Sequence, residues 1–361
     1  MKLKVLDLSR VLAGPVCSMI LGDLGADVIK VERPGEGDET RGWGPPFDKD
    51  GMSAYFLAIN RNKKCIAVDL ADPRGRQLVL DLIREADVVL DNFLPGSLDR
   101  LGIDAGVLLE RYPSLIWCTI SGFGPESKRP GYDFVVQAES GWMSITGESK
   151  GSPMKVGVAL ADVIAGKDAT IAILAAVAER ATGQLPKEKR RINVSLADSA
   201  RASLVNVAQN VLVSGIDAKR WGNAHPNLVP YQLFDAADRP FVIAVGSDAQ
   251  WRACANALDL ENLADDEALR SNAGRVERRE LVVNAVANRV REKSAQHWID
   301  RLEKVGVPCG LVKSVAEVLD GTDANARTGV QPSVPGSVRL SPPKLDEHGD
   351  AIRSLGWRAF G

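Results

Sequence analysis

The chain has 361 residues, a length typical of about two domains. Hydrophobic residues make up 45% and charged residues 25%, which is the composition of an ordinary globular protein. Lysine and arginine (45) nearly balance aspartate and glutamate (47), which excludes a general electrostatic attraction to nucleic acid or membrane. The cysteines are widely spaced and form no CxxC pair, so we expect no disulfide framework and no zinc site. The N-terminus lacks an apolar signal segment, and no apolar run reaches the ~18 residues of a membrane span. The expected location is the cytoplasm.

Short apolar runs alternate with amphipathic segments in the first third of the chain. The runs predict strands at Lys4–Leu8, Ala26–Glu32, Cys65–Leu70, Ala86–Asn92 and Leu115–Ser121. The segments between them predict helices at Gly14–Leu24, Arg74–Arg84 and Gly96–Arg111. Strands that alternate with helices of about ten or more residues predict an α/β fold with a parallel sheet.

The rest of the chain predicts a long alanine-rich helix and then a smaller helix-rich region. The long helix is Asp162–Thr182, and a strand at Ile192–Leu196 and a helix at Asp198–Val213 follow it. The smaller region contains a strand at Phe241–Val245 and helices near Ala249–Leu258, Arg278–Glu292 and Ala295–Lys304. We therefore expect a large sheet-containing domain and a second α+β domain.

The first strand–helix–strand unit ends at Glu32 and has the outline of a dinucleotide-binding unit. Its turn has no GxGxxG pattern, and Pro15 lacks an N–H group that would face a pyrophosphate, so nicotinamide binding is the weaker alternative. Cationic, amide and aromatic residues near strand ends instead suit a ligand with several phosphates and a flat base. These residues are Arg33, Arg61, Lys63, Lys64, Asn92, Phe93 and Arg100. Taken singly, each of them is better explained as a solvated surface residue, and only their shared location makes the phosphate interpretation equally good.

Asp162 opens the alanine-rich helix directly after an apolar run. The plain interpretation is a helix N-cap, which contributes roughly 1 kcal/mol. The functional interpretation is a nucleophile, because a carboxylate with an ordinary pKa of about 3.9 is ionised at neutral pH and needs no partner base. Attack on a thioester would give a mixed anhydride and a thiolate, and the helix start could supply N–H groups to an oxyanion.

Several motifs, in order along nearly the whole chain, resemble those of the family III CoA-transferases, which include formyl-CoA transferase, carnitine CoA-transferase and alpha-methylacyl-CoA racemase. The motifs are Asp7–Pro15, Gly25–Gly35, Asn60–Lys64, Asp91–Gly96, Gly131–Asp133 with Gln137, the segment around Asp162, Gly222–Pro226 and Gly306–Cys309. Each motif is weak by itself, and their order makes the resemblance specific.

This resemblance implies a function and a set of site residues. It implies transfer of CoA from an acyl-CoA to a carboxylic acid, with Asp162 as the catalytic aspartate that forms anhydride and thioester intermediates. It places Asp133 and Tyr132 near the active site. It implies CoA contacts from Val11, Ala13, Arg33, Val68, Asn92, Phe93 and Arg100. It implies no permanently bound cofactor and no metal, with CoA acting as a substrate.

The resemblance also implies an interlocked homodimer, whose chains each have a Rossmann-like large domain and a small domain. We expect residues 1–200, completed by 325–361, to form the large domain, 201–224 a linker and 225–324 the small domain. Chain segments near Pro186–Trp221 and Thr322–Pro335 suit the connections between them.

Three positions depart from particular branches of the family. Position 10 is arginine and position 12 leucine, where formyl-CoA transferase has histidine and glutamine, so neither formyl nor oxalyl specificity is expected. Position 132 is tyrosine, where the racemase branch has a catalytic histidine. Racemisation needs a base on each face of the α-carbon, so an acyl-CoA racemase or epimerase is the alternative to CoA transfer rather than the leading hypothesis.

Overall fold

The structure is a computed structural model that describes residues 2–321, 331–332 and 334–361. These residues form two compact units. The first contains the described residues of Met1–Met143, Lys155–Ile216 and Gly321–Gly361, and the second contains Ser144–Met154 and Asp217–Asp320. The domain boundaries predicted from the sequence stay predictions, and the predicted connection at Thr322–Pro335 lies largely outside the described residues.

The first unit is built on a six-stranded parallel sheet with the strand order β3-β2-β1-β4-β5-β6. Its strands are β1 Lys4–Asp7, β2 Asp27–Glu32, β3 Lys63–Ala67, β4 Val88–Asp91, β5 Ile116–Ser121 and β6 Arg191–Ser195. Its helices are α1 Ala13–Asp23, α2 Ala54–Ile59, α3 Pro73–Glu85, α4 Ser97–Arg100, α5 Ala105–Arg111, α6 Asp133–Glu139, α8 Leu160–Ala181, α9 Leu196–Ala202, α10 Val205–Ser214 and, near the C-terminus, α17 Gly349–Leu355. The short helix α7 Trp142–Ile145 begins in this unit, and its last two residues belong to the second unit. The predicted α/β class is confirmed.

Both faces of this sheet are buried, because successive strand residues point to opposite sides. Val5 and Val88 pack with α1, α8 and α9 on one face. Leu6 and Val89 pack with α3, α5 and the C-terminal Trp357 on the other. This two-sided burial explains why the strands read as continuous apolar runs in the sequence.

The C-terminal segment covers the edge strand β3, which would otherwise expose unpaired backbone groups. Asn62 donates its backbone N–H to the Leu340 carbonyl (2.9 Å), and the His348 N–H donates to the Cys65 carbonyl (3.1 Å). Farther along β3, the Ala67 N–H donates to the Asp346 carboxylate (2.8 Å). The C-terminal residues therefore belong to the first unit, although about 100 residues of the second unit precede them in the chain.

The second unit has its own core around a three-stranded antiparallel sheet in the order β7-β8-β9. Its elements are β7 Tyr231–Asp235, β8 Pro240–Ala244, α11 Asp248–Ala257, α12 Glu261–Ala264, α13 Asn272–Glu277, α14 Arg279–Val290, α15 Ala295–Lys304, β9 Cys309–Leu311 and α16 Val315–Leu319. Phe241 and Ile243 of β8 pack against Trp251 and Trp298 in the core. Among the described residues, no helix is both long and apolar enough to cross a membrane.

Three predicted helices differ in the structure. The helix predicted at Gly96–Arg111 is two short helices, α4 and α5, which Gly102 separates with a left-handed φ of +76°. The helix predicted at Asp198–Val213 is likewise divided into α9 and α10. The alanine-rich helix begins at Leu160, two residues earlier than predicted, and its N-cap position is Ala159. The N-cap interpretation of Asp162 is therefore wrong.

Candidate active site

The strand order places the ends of β1 and β4 side by side at the centre of the sheet. The order reverses between these two strands, and open α/β sheets bind ligands in the crevice at the carboxyl ends of such a pair. The turn after β1 and the turn after β4 are held together at this point by two hydrogen bonds. The Arg10 N–H donates to the side-chain oxygen of Asn92 (2.9 Å), and the Asn92 amide donates to the Arg10 carbonyl (2.7 Å).

A buried ionic cluster formed by Lys30 and Asp38 holds the turn after β1 in place. Lys30 is fully buried, and its ammonium group donates to the Ser9 carbonyl (2.8 Å) and pairs with Asp38 (3.0 Å). Asp38 in turn accepts from the Val11 N–H (3.2 Å). Val11 has a left-handed φ of 70°, which is strained for a β-branched residue, so these contacts hold a conformation that the chain disfavours locally.

Two of the cations that the sequence assigned to a phosphate ligand lie in buried ion pairs. Lys63 is fully buried, where it pairs with Asp7 (3.3 Å) and donates to the Pro15 carbonyl in the first turn of α1 (2.9 Å). Arg61 pairs with the buried Asp23 (2.8 Å). Both precede or begin β3 and so lie at its amino end. The prediction that they bind phosphates is wrong for these two residues, whose charges stabilise the fold instead.

Asp162 lies in the first turn of α8, and Asp133 supports that turn from α6. The Ala161 N–H donates to one oxygen of Asp133 (2.8 Å), while the Gln137 amide donates to the other (2.6 Å). Gln137 is fully buried and also accepts from the Val156 N–H (2.8 Å). Asp133 therefore caps α8 from another helix, and together with Gln137 it fixes the segment that leads to Asp162.

A glycine on α8 allows α1 to approach Asp162 closely. A Cβ atom on Gly166 would lie 2.6 Å from the Ala13 carbonyl oxygen and 3.1 Å from Val16. Gly166 lies one turn after Asp162 and so on the same face of α8. The resulting close contact brings the N-terminus of α1 to Asp162, where the Ala13 N–H hydrogen-bonds to the Asp162 carboxylate.

The environment of Asp162 makes its carboxylate unusually basic. Burial, followed by the negative charge of Asp133, raises the pKa of Asp162 to about 7, and the hydrogen bond from Ala13 opposes this rise. The assumption of an ordinary carboxyl pKa is therefore wrong. A carboxylate that is shielded from solvent and has a raised pKa is, in its ionised form, a stronger nucleophile than a solvent-exposed carboxylate.

Tyr55 is a neighbour of this site that the sequence did not indicate. It packs beside Val11 and Val163 against a small buried cluster formed by Leu12, Val16, Ile20 and Ile59. Burial and the charges of Asp162, Asp133 and Asp38 raise the pKa of Tyr55 to about 12, so its phenol stays protonated and is a donor. Helix α2, which carries Tyr55, shows no motif that would single this residue out.

Two cavities meet at the carboxyl ends of β1 and β4. The first, which we call the Asp162 cavity, has a volume of about 210 Å³. Its lining includes Asp162, Val11, Ala13, Asn92, Phe93 and Tyr132, together with Arg10, Glu39 and Arg129. The second, the Arg33 cavity, has about 270 Å³ and is lined by Arg33, Val68, Asp38 and Leu70, and again by Arg10 and Phe93. A ligand with an acyl end and a nucleotide end could span the two.

The structure thus brings most of the predicted site residues together. Val11, Ala13, Asn92, Phe93 and Tyr132 share one cavity with Asp162. Arg33 and Val68 lie in the neighbouring cavity. Arg100 lines neither of the two; it is exposed at the end of α4 and donates to the Ser97 hydroxyl (3.2 Å). Within the described ranges, no group of three or more His, Cys, Asp or Glu side chains could hold a metal ion.

A model of the family described as CoA-transferase family III matches residues 2–348. The chain belongs to CoA-transferase family III. This confirms the family predicted from the motifs. As a member of the family, the chain is an enzyme that transfers CoA between an acyl-CoA and a carboxylic acid.

Relatives of this CoA-transferase match it over most of their length. The mouse protein named succinyl-CoA:glutarate CoA-transferase is 41% identical over 358 residues, which cover 95% of this chain and 81% of the mouse protein. Succinate--glutarate CoA-transferase of Agrobacterium fabrum is 41% identical over 333 residues, 90% of this chain and 82% of that protein. A CAIB/BAIF family protein from Brucella suis superposes with a TM-score of 0.83 at 41% identity, covering 98% of this chain and 97% of that one.

Proposed function

We propose that this enzyme transfers CoA from succinyl-CoA to a dicarboxylic acid such as glutarate, through covalent intermediates on Asp162. The observation that carries the proposal is the position of Asp162. Its half-buried, basic carboxylate lines a cavity at the reversal point of the sheet and accepts a hydrogen bond from the N-terminus of α1. The choice of substrates follows the names of two relatives, the mouse succinyl-CoA:glutarate CoA-transferase and the Agrobacterium fabrum succinate--glutarate CoA-transferase, which are each 41% identical to the chain.

The reaction proceeds in four exchanges at three carbonyl carbons: that of the donor acyl group, that of the Asp162 side chain and that of the acceptor. A carboxylate oxygen of Asp162 attacks the thioester carbon of succinyl-CoA, and the C–S bond breaks to give a mixed anhydride and the CoA thiolate. The thiolate then attacks the Asp162 side-chain carbon and releases succinate, which leaves CoA bound to Asp162 as a thioester. The acceptor carboxylate repeats the sequence in reverse: it displaces the thiolate to form a second anhydride. The thiolate attacks the acceptor's acyl carbon, which frees Asp162 and the new acyl-CoA.

The start of α1 supplies the electrostatic support for this chemistry. Each exchange passes through a tetrahedral intermediate whose oxygen carries a negative charge, and helix N-terminal N–H groups stabilise such charges. The Ala13 N–H already contacts the Asp162 carboxylate. No proton is transferred in any of the four exchanges, which agrees with a site built around a carboxylate and N–H donors rather than a histidine.

CoA is expected to bind across the two cavities, and no permanently bound cofactor is required. The acyl end would lie in the Asp162 cavity with Val11, Ala13 and Asn92. The nucleotide would lie in the Arg33 cavity with Arg33, Val68 and Phe93. Arg100 is the least supported of the predicted CoA contacts, because it lines neither cavity.

The enzyme is further proposed to be a cytoplasmic, interlocked homodimer. Helix α10 supports an assembly, because none of its residues is buried in the single chain. Four large apolar side chains on or just after this helix are at least two-thirds exposed: Val205, Leu212, Val213 and Ile216. An apolar surface of this kind is typical of a region that a partner subunit covers.

Initial-rate kinetics test the proposed mechanism. Purified enzyme with succinyl-CoA and glutarate should produce glutaryl-CoA, and double-reciprocal plots at several glutarate concentrations should be parallel because succinate leaves before glutarate binds. Asp162→Asn should abolish the reaction. The matched control Asp168→Asn, on the same helix but outside the Asp162 cavity, should retain it. Intersecting lines, or activity in Asp162→Asn, would contradict the covalent route. Exchange of the α-proton with deuterated water would instead support the racemase alternative.

A further inference from the structure

Arg10 occupies a rigid position between the two cavities. Its backbone N–H and carbonyl both bond to Asn92, so the residue cannot shift without breaking the link between the turns after β1 and β4. Its guanidinium lies over the Phe93 ring, 5.4 Å from the centroid. Arg10 and Phe93 each line both the Asp162 cavity and the Arg33 cavity.

The hydrogen bonding of Arg10 is incomplete. One terminal nitrogen pairs with one oxygen of Glu39 (2.6 Å). The Nε atom of Arg10 and the second oxygen of Glu39 are buried, and neither has a hydrogen-bond partner among the described residues. Such unpaired buried atoms are uncommon because each costs free energy. The pair has therefore not reached the two-bond geometry that an arginine and a carboxylate prefer.

The second arginine of the Asp162 cavity differs in this respect. Both terminal nitrogens of Arg129 donate to Glu139, one to each carboxylate oxygen (3.1 and 2.6 Å). Its fork is thus already occupied by a bidentate partner. Of the two guanidinium groups that line the Asp162 cavity, Arg10 is the one without a bidentate carboxylate partner, so its paired-donor geometry is still available to a ligand.

We propose that Arg10 binds the carboxylate of the substrate that does not react, so that the Asp162 cavity selects dicarboxylic acids. This inference rests on the proposed function and adds the residue that determines specificity. A guanidinium fork matches a carboxylate with two parallel hydrogen bonds. The far carboxylate of a dicarboxylic acid would lie against Arg10 while the near one reaches Asp162. The positive charge would also offset the repulsion between an anionic acceptor and the acidic groups Asp133 and Glu39; Asp162 itself carries no charge while it holds CoA as a thioester.

The same free donors would also suit a phosphate of CoA, because Arg10 lines the Arg33 cavity as well. The two occupants predict different substrate dependence. A phosphate contact affects every acyl-CoA and free CoA to the same degree. A carboxylate contact affects only substrates that have a second carboxylate, and the cavity shared with Asp162 favours this occupant.

The test compares glutarate with pentanoate, an acid of the same chain length without the second carboxylate, as acceptors for succinyl-CoA. The wild-type enzyme should prefer glutarate in kcat/KM. Arg10→Met should reduce this preference by about 30-fold, which corresponds to about 2 kcal/mol. Arg10→Lys, which keeps the charge but not the fork, should retain part of it. Arg84→Met serves as a matched control, because Arg84 is an exposed residue of α3 outside both cavities, and the preference should be unchanged.

The other possible results each refute a different statement. A wild-type enzyme with no preference for glutarate refutes the dicarboxylate class, and an unchanged preference in Arg10→Met refutes the role of Arg10. Equal losses with both acceptors, together with weaker binding of free CoA, identify a phosphate contact instead. The proposed function is assessed separately by the CoA adduct on wild-type Asp162. If that adduct forms while Arg10→Met keeps the preference, only the inference about Arg10 fails.

Discussion

Replacement of Asp162 by asparagine should make the fold more stable at pH 8 while it removes catalysis. Burial and the charge of Asp133 raise the pKa of Asp162 from its ordinary value of 3.8 to about 7. The folded chain then keeps a proton that the unfolded chain releases, so stability falls as the pH rises between about 4 and about 7. Each pKa unit corresponds to about 1.4 kcal/mol, so ionised Asp162 costs at most about 4 kcal/mol above pH 7. Asparagine has no charge and avoids this cost.

Urea unfolding of wild type, Asp162→Asn and Asp168→Asn at pH 5 and pH 8 measures the effect. We expect Asp162→Asn to have a higher free energy of unfolding than wild type at pH 8, and a clearly smaller gain at pH 5. Asp168→Asn, on the same helix, should not show this pH-dependent gain. If Asp162→Asn is no more stable than wild type at pH 8, the carboxylate is not held in an unfavourable environment. The physical basis for an activated nucleophile would then be refuted.

Three further substitutions test the surroundings of the site. Lys63→Met should lower the free energy of unfolding by about 3–5 kcal/mol, because it leaves the buried Asp7 carboxylate without this partner, and a loss below about 1 kcal/mol in urea unfolding would contradict that role. Gly166→Ala should push α1 away from Asp162 and reduce kcat at least about tenfold, so that unchanged kcat would show the close helix contact to be unnecessary. Arg33→Ala should weaken CoA binding by about 1–3 kcal/mol in a titration, and unchanged affinity would place Arg33 outside the CoA site.

Much of the fold could be predicted because its signals are local. The strands of the parallel sheet are apolar runs that lie within a few residues of their predicted positions, since burial on both faces requires an apolar residue at nearly every position. The helix Ala295–Lys304 has the predicted bounds, and a serine N-cap marks its start. The prediction of one continuous helix at Gly96–Arg111 was wrong because the spacing of apolar residues does not reveal where the backbone leaves the helical conformation. Gly102 ends the first helix by adopting a left-handed φ.

The chemistry of the site was less accessible, because it depends on contacts between distant segments. Asp133 caps the helix that contains Asp162 although 28 residues separate it from its partner Ala161. A buried lysine such as Lys63 looks like a surface cation in the sequence until the paired Asp7 is located in space. Similarly, the pKa of Asp162 is set by burial and by Asp133, neither of which a local pattern can report.

The most direct test of the account is to isolate the CoA thioester on Asp162. Wild-type enzyme incubated with succinyl-CoA without an acceptor should gain the mass of CoA less one water, and peptide mapping should place the adduct on Asp162. Added hydroxylamine should convert that residue to a hydroxamate, and added glutarate should remove the adduct as glutaryl-CoA forms. Absence of the adduct from an enzyme that turns over succinyl-CoA and glutarate, or an adduct of equal size on Asp162→Asn, would contradict covalent catalysis by Asp162.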